Sequence, residues 1–362
     1  MIILIFGSYL AYLQVNYNRI QDNTPVHVYH EVTDNVPKYL EVGKEYGVLT
    51  FNIGFGAYDH NFSFFMDKGS YKNGTNTVGI FSKAESINAT LDNTKSCIDT
   101  VMKMNPDIVN FQEVDVEADR SYNVNQRNMI VDSIKNKYDD IYWTHATNFH
   151  TSYLFYPPTN PIGSIKDSGI LTLSKYCIND SVRRSLPLDE NFVDKFFDLD
   201  RCFTINRLPV NDGENNLKEL IWINIHASAY DEGGTIRKKQ TEMLLDIMSK
   251  EYREGNYVIA GGDFNQELGD SSNKFLSEMN QGKLCPFDES KMPMGLKVMI
   301  SNNSNEIASN RDASIPYTHG VNYIRIIDGF IASDNVKGLS KNVDADFVGS
   351  DHNPIFMKFE LV

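Results

Sequence analysis

Carboxylate, imidazole and carboxamide side chains stand at the ends of several apolar runs in this sequence. Gly261–Asn265 (GGDFN) closes one such run, and Gly349–Pro354 (GSDHNP) comes just before the last one. Side chains of these types suit a site that holds a hard divalent cation and hydrolyses a phosphate ester. One motif alone is weak evidence. Four further polar residues accompany the pair in chain order: Asn52, Glu113, His226 and Asp328.

A magnesium site is the first expectation from these residues. Mg²⁺ prefers oxygen ligands and keeps several waters, so one or two carboxylates are enough to hold it. Glu113 is the best candidate ligand, with Asn52 and Asp351 beside it. Mn²⁺ is an alternative ion. A structural zinc site is disfavoured because no Cys/His cluster with zinc-ligand spacing is present.

The remaining polar residues suit the steps of phosphate-ester hydrolysis. Asp263 can orient or deprotonate the attacking water, and Asn265 can hold that water or a phosphate oxygen. His352 can donate to a non-bridging phosphate oxygen if Asp328 fixes and charges its ring. His226 can protonate the leaving oxygen. The metal ion and the imidazolium would then stabilise the charge that develops around phosphorus.

Buried strands must position these side chains. Apolar runs predict strands at Tyr46–Ile53, Ile108–Gln112, Ile170–Ser174, Leu220–His226, Tyr257–Gly261, Ile324–Ile331 and Pro354–Phe359. Periodic apolar residues predict helices at Ala89–Met104 and Thr235–Glu251. Because a helix does not follow every strand, the pattern favours an α+β fold of two stacked sheets covered by helices. Strand ends of such sheets can converge on one rim, which is a usual place for a site.

Composition sets limits on the partners. The chain has 362 residues, with 34 Lys+Arg against 48 Asp+Glu and a net charge of −14. This balance opposes tight, sequence-independent DNA binding, although a local basic strip would still permit nuclease activity. The four cysteines have no close spacing, which favours unpaired buried thiols over two disulfides.

The N-terminus predicts a membrane association. Residues 1–18 carry no charged side chain, and Ile2–Leu13 is almost wholly apolar. A full span needs about 20 apolar residues, so this stretch is short. We interpret residues 1–18 as a membrane anchor or uncleaved signal, residues 19–44 as a tether and residues 45–362 as the catalytic domain. The alternative is an apolar N-terminal strand or helix packed on the domain. An anchor favours an extracytoplasmic protein, with a secreted or cytoplasmic protein as the alternatives.

The motifs together resemble the endonuclease/exonuclease/phosphatase superfamily, which includes deoxyribonuclease I, apurinic endonucleases, neutral sphingomyelinases and inositol polyphosphate 5-phosphatases. The resemblance runs from about Tyr46 to Val362. Its motifs are Thr50–Ile53, Gln112–Val114, Asn224–His226, Gly262–Asn265, Ile327-Asp328 and Ser350–Pro354. It implies a four-layer αββα sandwich of two mixed sheets, a need for Mg²⁺ or a similar ion, and the residue roles assigned above.

In having a histidine at position 226, the chain resembles the deoxyribonuclease I and sphingomyelinase branches of the family. The resemblance therefore implies a phosphodiesterase of the two-histidine type but does not choose its substrate. Arg201 lies where an arginine often occurs in the family.

Two aromatic segments depart from the family pattern. Gly54–Gly79 is a long insertion rich in Gly, Asn and aromatic residues, and Tyr153–Pro158 is a second aromatic loop. Both could form a lip that selects the substrate or touches a bilayer. The alternative is that these aromatic side chains fill a satellite core under a long loop.

Three functions compete. The favoured one is a metal-dependent phosphodiesterase or phosphomonoesterase acting on a small or lipid-linked substrate. The second is a nuclease similar to deoxyribonuclease I. The third is a catalytically idle binding module, since a fold does not dictate activity. The sequence leaves the substrate, the membrane topology and the oligomeric state open.

Overall fold

Two mixed β-sheets lie face to face in the computed structural model of the chain. The structure describes residues 2–30, 38–138, 140–189, 196, 200–213, 218–231, 233–268, 275–280 and 285–362. Within these ranges the first sheet has seven strands and the second has eight. Helices cover the outer faces of both sheets. The predicted four-layer α+β sandwich is therefore confirmed.

The strands are defined as follows in chain order. They are β1 (Thr24–Pro25), β2 (Val28–His30), β3 (Leu40–Glu41), β4 (Glu45–Asn52), β5 (Lys68–Ser70), β6 (Asn76–Val78), β7 (Ile108–Ala118), β8 (Tyr142–Leu154), β9 (Gly163–Ser174), β10 (Asp180–Ser185), β11 (Cys202–Asn211), β12 (Glu219–His226), β13 (Tyr257–Asp263), β14 (Leu296–Val298), β15 (Asn310–Arg311), β16 (Ile324–Arg325), β17 (Asp328–Ser333), β18 (Val336–Asn342) and β19 (Ile355–Leu361). The first sheet has the order β18-β19-β4-β7-β9-β8-β2. The second has the order β1-β10-β11-β12-β13-β17-β14, and β3 pairs with β11.

The helices form the outer layers. They are α1 (Ile2–Asn16), α2 (Ile87–Met104), α3 (Gln126–Lys135) and α4 (Thr235–Arg253). Helices α2 and α3 pack Ile98 and Ile130 against Phe111 of the first sheet. Helix α4 packs Leu244 against Ile223 of the second sheet. The core between the sheets includes Trp222, Val48 and Phe359, all almost completely buried, so apolar burial on both faces holds the layers together.

Each predicted strand is present, with shifted ends. The largest extension is in β9, which begins at Gly163 rather than at Ile170, and β7 continues from Gln112 to Ala118. The predicted strand Ile324–Ile331 is wrong as one element, because it is divided into β16 and β17. Asp328 therefore begins a strand rather than lying inside one. A strand break at this point lets its carboxylate lie on the rim of the second sheet.

Three long elements lack a clear sequence signal. Strands β8 and β11 and helix α3 were not predicted. In β8, side chains such as Thr144, Thr147 and Asn148 interrupt the apolar pattern, although Thr144 and Asn148 are buried. A buried polar side chain needs a partner, and Thr144 finds one by donating to Asn206 Oδ1 at 2.9 Å. Tertiary hydrogen bonds therefore replace apolar burial in this strand.

A buried ladder of amide side chains joins the two sheets. Asn110 of β7 donates to the carbonyl oxygens of Ile223 (3.1 Å) and Gly261 (2.9 Å) in the second sheet. Its Oδ1 accepts from Trp222 Nε1 at 2.7 Å. Beside it, Gln112 Nε2 donates to Asn224 Oδ1 at 2.8 Å. Directional bonds of this kind specify how one sheet sits on the other, which apolar packing alone does less sharply.

The N-terminal helix α1 packs on the catalytic domain. Leu13 is buried in a cluster with Leu154 and Ile165. The Tyr9 hydroxyl donates to the Tyr153 carbonyl oxygen (3.1 Å) and accepts from the Phe155 backbone N–H (2.8 Å). Among the described residues, no helix has the length and apolar content needed to cross a membrane.

The segment predicted as a tether supplies strands to both sheets. β1 and β3 pair with β10 and β11 in the second sheet, and β2 pairs with β8 in the first. The Asp22 carboxylate accepts two hydrogen bonds from the Arg184 guanidinium, at 3.0 and 3.1 Å. The described part of residues 19–44 is thus integrated at the sheet edges. Residues 31–37 lie outside the described ranges.

The two aromatic segments differ in exposure. In the insertion, Phe55, Tyr58 and Phe62 pack together in a satellite core, as the alternative interpretation expected. In the second loop, Phe155 and Tyr156 are 54% and 53% exposed. Only the second loop therefore presents aromatic side chains to solvent as a lip would.

The cysteine thiols are free in the described ranges. Cys97, Cys177 and Cys202 are buried, and Cys285 is partly exposed. The preference for unpaired buried thiols is therefore confirmed for the three buried residues. Burial raises the pKa of Cys202 to about 11, so this thiol stays protonated and unreactive at neutral pH.

Candidate active site

The strand ends bring every predicted site residue into one cluster. Within the second sheet, His226 lies opposite Asp263 across β12 and β13, and Asp263 lies opposite Asp328 across β13 and β17. Between the sheets, Asn52 Nδ2 donates to Asp263 Oδ2 at 3.0 Å. His226 Nε2 lies 3.7 Å from Glu113 Oε1. The parallel strands β12 and β13 end at the same edge, and the antiparallel strand β17 begins there, so residues far apart in sequence meet.

A β-bulge positions Glu113. The register between β7 and β9 shifts between Phe111 and Val114. Glu113 itself has φ 55°, in the left-handed region. A non-glycine residue in that region costs roughly 1–2 kcal/mol, and bulges of this kind redirect a side chain. The carboxylate reaches the rim, where it accepts from Asn52 Nδ2 at 3.2 Å and remains 23% exposed.

Asp328 and His352 form a buried charged pair. His352 Nδ1 lies 2.8 Å from Asp328 Oδ2. Burial opposes a charge on the ring, but the carboxylates of Asp328 and Asp351 outweigh it and raise the pKa of His352 to about 10. The ring is therefore an imidazolium at neutral pH. Its Nε2 lies 3.8 Å from Asp263 Oδ2, so the ring faces the reacting region.

Asp263 is held by residues of both sheets and lies beside the Asp328–His352 pair. Besides Asn52, the backbone N–H of Asn265 donates to Asp263 Oδ1 at 2.8 Å. Burial and the charge of Asp328 raise the pKa of Asp263 to about 6. A carboxylate with that pKa is ionised at pH 7 yet basic enough to accept a proton from water. Asn265 has φ 49°, and its Nδ2 donates to the Ala227 carbonyl oxygen at 3.0 Å.

His226 is a neutral ring. Burial, with the positive charges of Arg201, His352 and Arg120, lowers the pKa of His226 well below its usual 6.5. One Arg201 guanidinium nitrogen lies 2.9 Å from Nδ1 and 2.6 Å from Nε2 of this ring. A neutral imidazole can donate an N–H to the leaving oxygen, but it is a much weaker acid than the imidazolium that the predicted proton transfer requires.

Glu113 and Asp351 form an acidic pair that fits a hard cation. Burial and the charge of Glu113 raise the pKa of Asp351 to about 7. No side chain of the described residues donates a hydrogen bond to the Asp351 carboxylate, and its nearest charged partner, His352 Nε2, is 3.9 Å away. Carboxylates whose negative charges act on each other are stabilised by a divalent ion. The chemistry of this donor pair therefore fits Mg²⁺ or Mn²⁺.

The Asn52 amide does not point its oxygen at the predicted cation ligands. Its Nδ2 faces the carboxylates of Glu113 and Asp263, while its Oδ1 accepts from the Gly54 N–H at 3.0 Å. Only an amide oxygen can ligate a cation, so Asn52 would have to turn its amide over to act as a ligand. As placed, it spaces the two carboxylates.

A second acidic group of side chains also has ligand geometry. Ligand atoms of Asp263, Asp328 and His352 lie within 4.8 Å of one another. His352 Nδ1 is engaged by Asp328, however, and the ring carries a proton that a metal ligand must lose. As placed, this group is arranged to hold a proton, and Glu113 and Asp351 stay the predicted cation ligands.

Arginine side chains around the site had little or no sequence signal. Buried Arg120 pairs with Asp115, with Nη2 at 2.9 Å from Oδ1, and its charge acts on both Glu113 and His226. Arg311 is 1% exposed and its backbone N–H donates to the Asp351 carbonyl oxygen at 2.9 Å. The sequence signal for this buried ion pair is Asp115, a charged residue between the apolar residues Val114 and Val116 of β7.

Comparisons with known proteins agree with this geometry. The model of the Endonuclease/Exonuclease/phosphatase family matches residues 49–352. No curated protein matches the chain by sequence. The structure is similar to a truncated Caenorhabditis elegans TDP2, with a TM-score of 0.51, 16% identity and coverage of 88% of this chain and 98% of that one.

Two other solved structures have the same fold. ANGEL2, described as a 2′,3′-cyclic phosphatase in complex with adenosine-2′,3′-vanadate, gives a TM-score of 0.54 at 13% identity and covers 92% of this chain and 99% of its own. An endonuclease/exonuclease/phosphatase of Beutenbergia cavernae gives 0.53 at 15% identity, covering 88% and 72%. At such identities the likeness establishes the fold alone. With the family match over most of its length, the chain belongs to the Endonuclease/Exonuclease/phosphatase family.

Proposed function

We propose that the chain is a divalent-metal-dependent hydrolase of phosphate esters, with Mg²⁺ as the expected ion and Mn²⁺ as a substitute. The observation that carries this proposal is the His352 ring, held by Asp328 at 2.8 Å with its Nε2 3.8 Å from Asp263. A positive donor, a base and an acidic cation site within one rim are the parts needed for in-line attack of water on phosphorus.

The chain's own residues divide the work. Glu113 and Asp351 would hold the ion, which supplies positive charge to the phosphate oxygens when bound. Asp263 orients the attacking water and accepts its proton. Asn265 holds Asp263 through its backbone N–H. The His352 imidazolium donates to a non-bridging oxygen, and its proton stays in place because Asp328 holds it.

The leaving group faces the His226 side. The neutral ring of His226 donates a hydrogen bond to the leaving oxygen, and the Arg201 guanidinium against that ring adds positive charge. Together they stabilise an oxygen that departs with negative charge. Proton transfer to that oxygen then comes from water rather than from His226.

Replacement of Glu113 by Gln tests the proposal. Glu113→Gln removes one of the two cation-holding charges, and we expect at least about a 100-fold loss of Mg²⁺-dependent hydrolysis of bis(4-nitrophenyl) phosphate. Glu117→Gln is the matched control, because Glu117 is an exposed residue of the same strand. Chelation of the metal should abolish the wild-type rate. Unchanged turnover in Glu113→Gln would exclude this function.

A small or lipid-linked ester is the proposed substrate. The net charge of −14 disfavours a long polyanion. One similar fold is described as a 2′,3′-cyclic phosphatase. Nuclease activity is the second candidate, favoured by the likeness to a Danio rerio TDP2 complexed with a single-stranded DNA product.

We further propose that α1 rests on a lipid surface, which would make the enzyme membrane-associated and extracytoplasmic. On this helix, Leu4, Ile5 and Phe6 are 74%, 64% and 61% exposed. The neighbouring loop adds exposed Phe155 and Tyr156 beside the Tyr9 contact. An uncharged helix with adjoining aromatic side chains suits the interfacial region of a bilayer. Sedimentation with phospholipid vesicles tests this association.

A further inference from the structure

A hydrogen bond joins two loops that leave strands of the candidate active site, one from each sheet. The Tyr230 hydroxyl donates to Asp67 Oδ1 at 2.9 Å. Tyr230 follows His226 by four residues and so belongs to a loop of the second sheet. Asp67 belongs to the insertion that follows Asn52 in the first sheet. We call this contact the Tyr230–Asp67 bridge. It joins the rims of the two sheets.

A third loop fixes the insertion end of the bridge. Asp67 Oδ2 accepts from the Ala313 backbone N–H at 3.3 Å. The backbone of the insertion is held here too, since the Phe64 N–H donates to the Ala313 carbonyl oxygen at 2.8 Å. Asp67 is therefore part of a packed wall rather than a side chain on a free loop.

Tyr58, which belongs to the same insertion as Asp67, lies beside the proposed cation site. A Cβ atom on Gly54 would lie 2.6 Å from the Tyr58 ring and 3.1 Å from Asp351 Oδ1, so Tyr58 and Asp351 both press on Gly54. Burial, with the charges of Asp351, Glu113 and Asp67, raises the pKa of the Tyr58 phenol. Burial and the charge of Asp67, with smaller effects of Glu113 and Asp351, raise the pKa of Tyr230 in the same way.

Exposure agrees with a covered site. The side chains of Glu113 and Asp351 are 23% and 13% exposed, and those of His226 and Asp263 are 2% exposed. Tyr230 as a whole is 46% exposed, so its ring faces solvent while its hydroxyl is engaged below.

Because the two loops leave strands of different sheets, a bond between them spans the gap between the two rims. A site spanned in this way leaves no room for a continuous polymer on both sides of the scissile phosphate. An internal phosphodiester needs that passage, whereas a phosphate at a chain end enters from one side. The Arg120 and Arg201 guanidinium groups both act on His226 and supply the extra positive charge that a terminal phosphate calls for.

We propose that the Tyr230–Asp67 bridge restricts this enzyme to small phosphate esters and to phosphates at chain ends. The restriction rests on the proposed phosphoesterase function and names its substrate class. Specificity of this kind comes from a steric obstacle to the wrong substrate as much as from contacts to the right one.

Paired substrates of the same chemistry test the bridge. The full chain with Mg²⁺ is given a short single-stranded oligonucleotide, either linear with terminal phosphates or ligated into a circle, and bis(4-nitrophenyl) phosphate. We expect the wild type to hydrolyse the linear oligonucleotide at least about 100-fold faster than the circle. If it cleaves neither oligonucleotide, we expect the same excess for the nitrophenyl ester over the circle. Tyr230→Ala should raise the ratio of circle to nitrophenyl-ester hydrolysis about tenfold.

Asp67→Ala removes the other end of the bridge and should also raise the ratio of circle to nitrophenyl-ester hydrolysis. With two variants, the proposal can be tested even if one of them does not fold. Tyr138→Ala is the matched control. Tyr138 donates its hydroxyl to Asn105, which precedes the opposite end of β7, and its ratio should equal that of the wild type.

Two different failures can be told apart. Equal cleavage of circle and linear oligonucleotide by the wild type, or an unchanged ratio in folded Tyr230→Ala and Asp67→Ala, overturns the bridge proposal while Glu113-dependent hydrolysis stands. Absence of any Glu113-dependent hydrolysis overturns the proposed function, and the bridge proposal falls with it.

Discussion

At the scale of single residues, the surroundings of His352 and His226 decide which of the two rings carries a proton. His352 lies beside buried carboxylates and carries a proton, with a pKa of about 10. His226 is equally buried, but positive groups surround it, so its pKa is low and its ring is neutral. Opposite shifts of neighbouring titratable groups are typical of acid–base sites. One ring therefore donates as a cation and the other as a neutral N–H.

The charge on His352 predicts a pH dependence. Its folded-state pKa, about 10, lies above the ordinary 6.5. The stabilisation from its pairing is therefore fully present below pH 6.5 and is lost as the pH rises towards 10. In Asp328→Asn the main partner is gone, so the ring should lose its proton at a lower pH. The measurement is NMR titration of the His352 ring in metal-free protein, with unfolding by urea across the same range.

Asp334→Asn serves as the control for this prediction, because Asp334 is an exposed carboxylate that lies 3.9 Å from Lys297. Its His352 titration should match that of the wild type. A wild-type ring that titrates near 6.5 would contradict the charged-dyad interpretation. The difference in unfolding free energy between wild type and Asp328→Asn should shrink as the pH approaches 10.

At the scale of elements, the alignment of two sheets decides whether the strand ends meet. Asn110 supplies the central contacts, since one side chain donates to two carbonyl oxygens of the second sheet and accepts from Trp222. Asn52 lies at the active-site end of β4, and Glu113 lies at the bulge within β7. A change in the inter-sheet register would therefore move Glu113 away from Asp263.

Replacement of Asn110 tests whether its hydrogen bonds hold the two sheets together; we call these bonds the Asn110 clamp. Asn110→Leu keeps most of the volume but leaves buried carbonyl and indole groups without partners. Each such group costs about 1–3 kcal/mol, so we expect the free energy of unfolding to fall by about 3 kcal/mol. Urea denaturation monitored by Trp fluorescence measures it. Asn128→Leu, at an exposed position of α3, should change stability by less than about 0.5 kcal/mol. Equal stability of the two variants would refute the clamp.

At the scale of the whole molecule, the N-terminal segment wraps the sandwich and presents an apolar surface. β1, β2 and β3 extend the edges of both sheets, and α1 packs next to the loop of Phe155. The exposed apolar side chains of the helix therefore keep a fixed position relative to the catalytic rim. A substrate that is itself lipid-linked would meet the enzyme from that side.

Vesicle binding tests the membrane proposal. Leu4→Ser removes an apolar side chain that is 74% exposed, and Leu339→Ser removes one that is 73% exposed on β18. Burying a leucine contributes about 1.5–3 kcal/mol, so Leu4→Ser should lower partitioning into phosphatidylcholine vesicles about tenfold. Leu339→Ser should leave it unchanged. Equal partitioning of wild type and Leu4→Ser, or none at all, would rule out docking through α1.

Much of the site was predictable because its residues lie next to locally encoded elements. Apolar runs mark β4, β12 and β13, and the polar residue that ends each run is visible beside it. Asn52, His226 and Asp263 could therefore be chosen from the sequence. The division of labour suggested for them came from residue type, which is also a local property.

The rest was decided by tertiary contacts. The bulge at Glu113 depends on pairing with β9, and the neutrality of His226 depends on Arg201, which is 25 residues away. The Tyr230–Asp67 bridge joins residues 163 positions apart. Local sequence determined the strands and the chemical groups at their ends. Only the packed sandwich set their charges, their partners and the cover above them, because those depend on burial and on long-range neighbours.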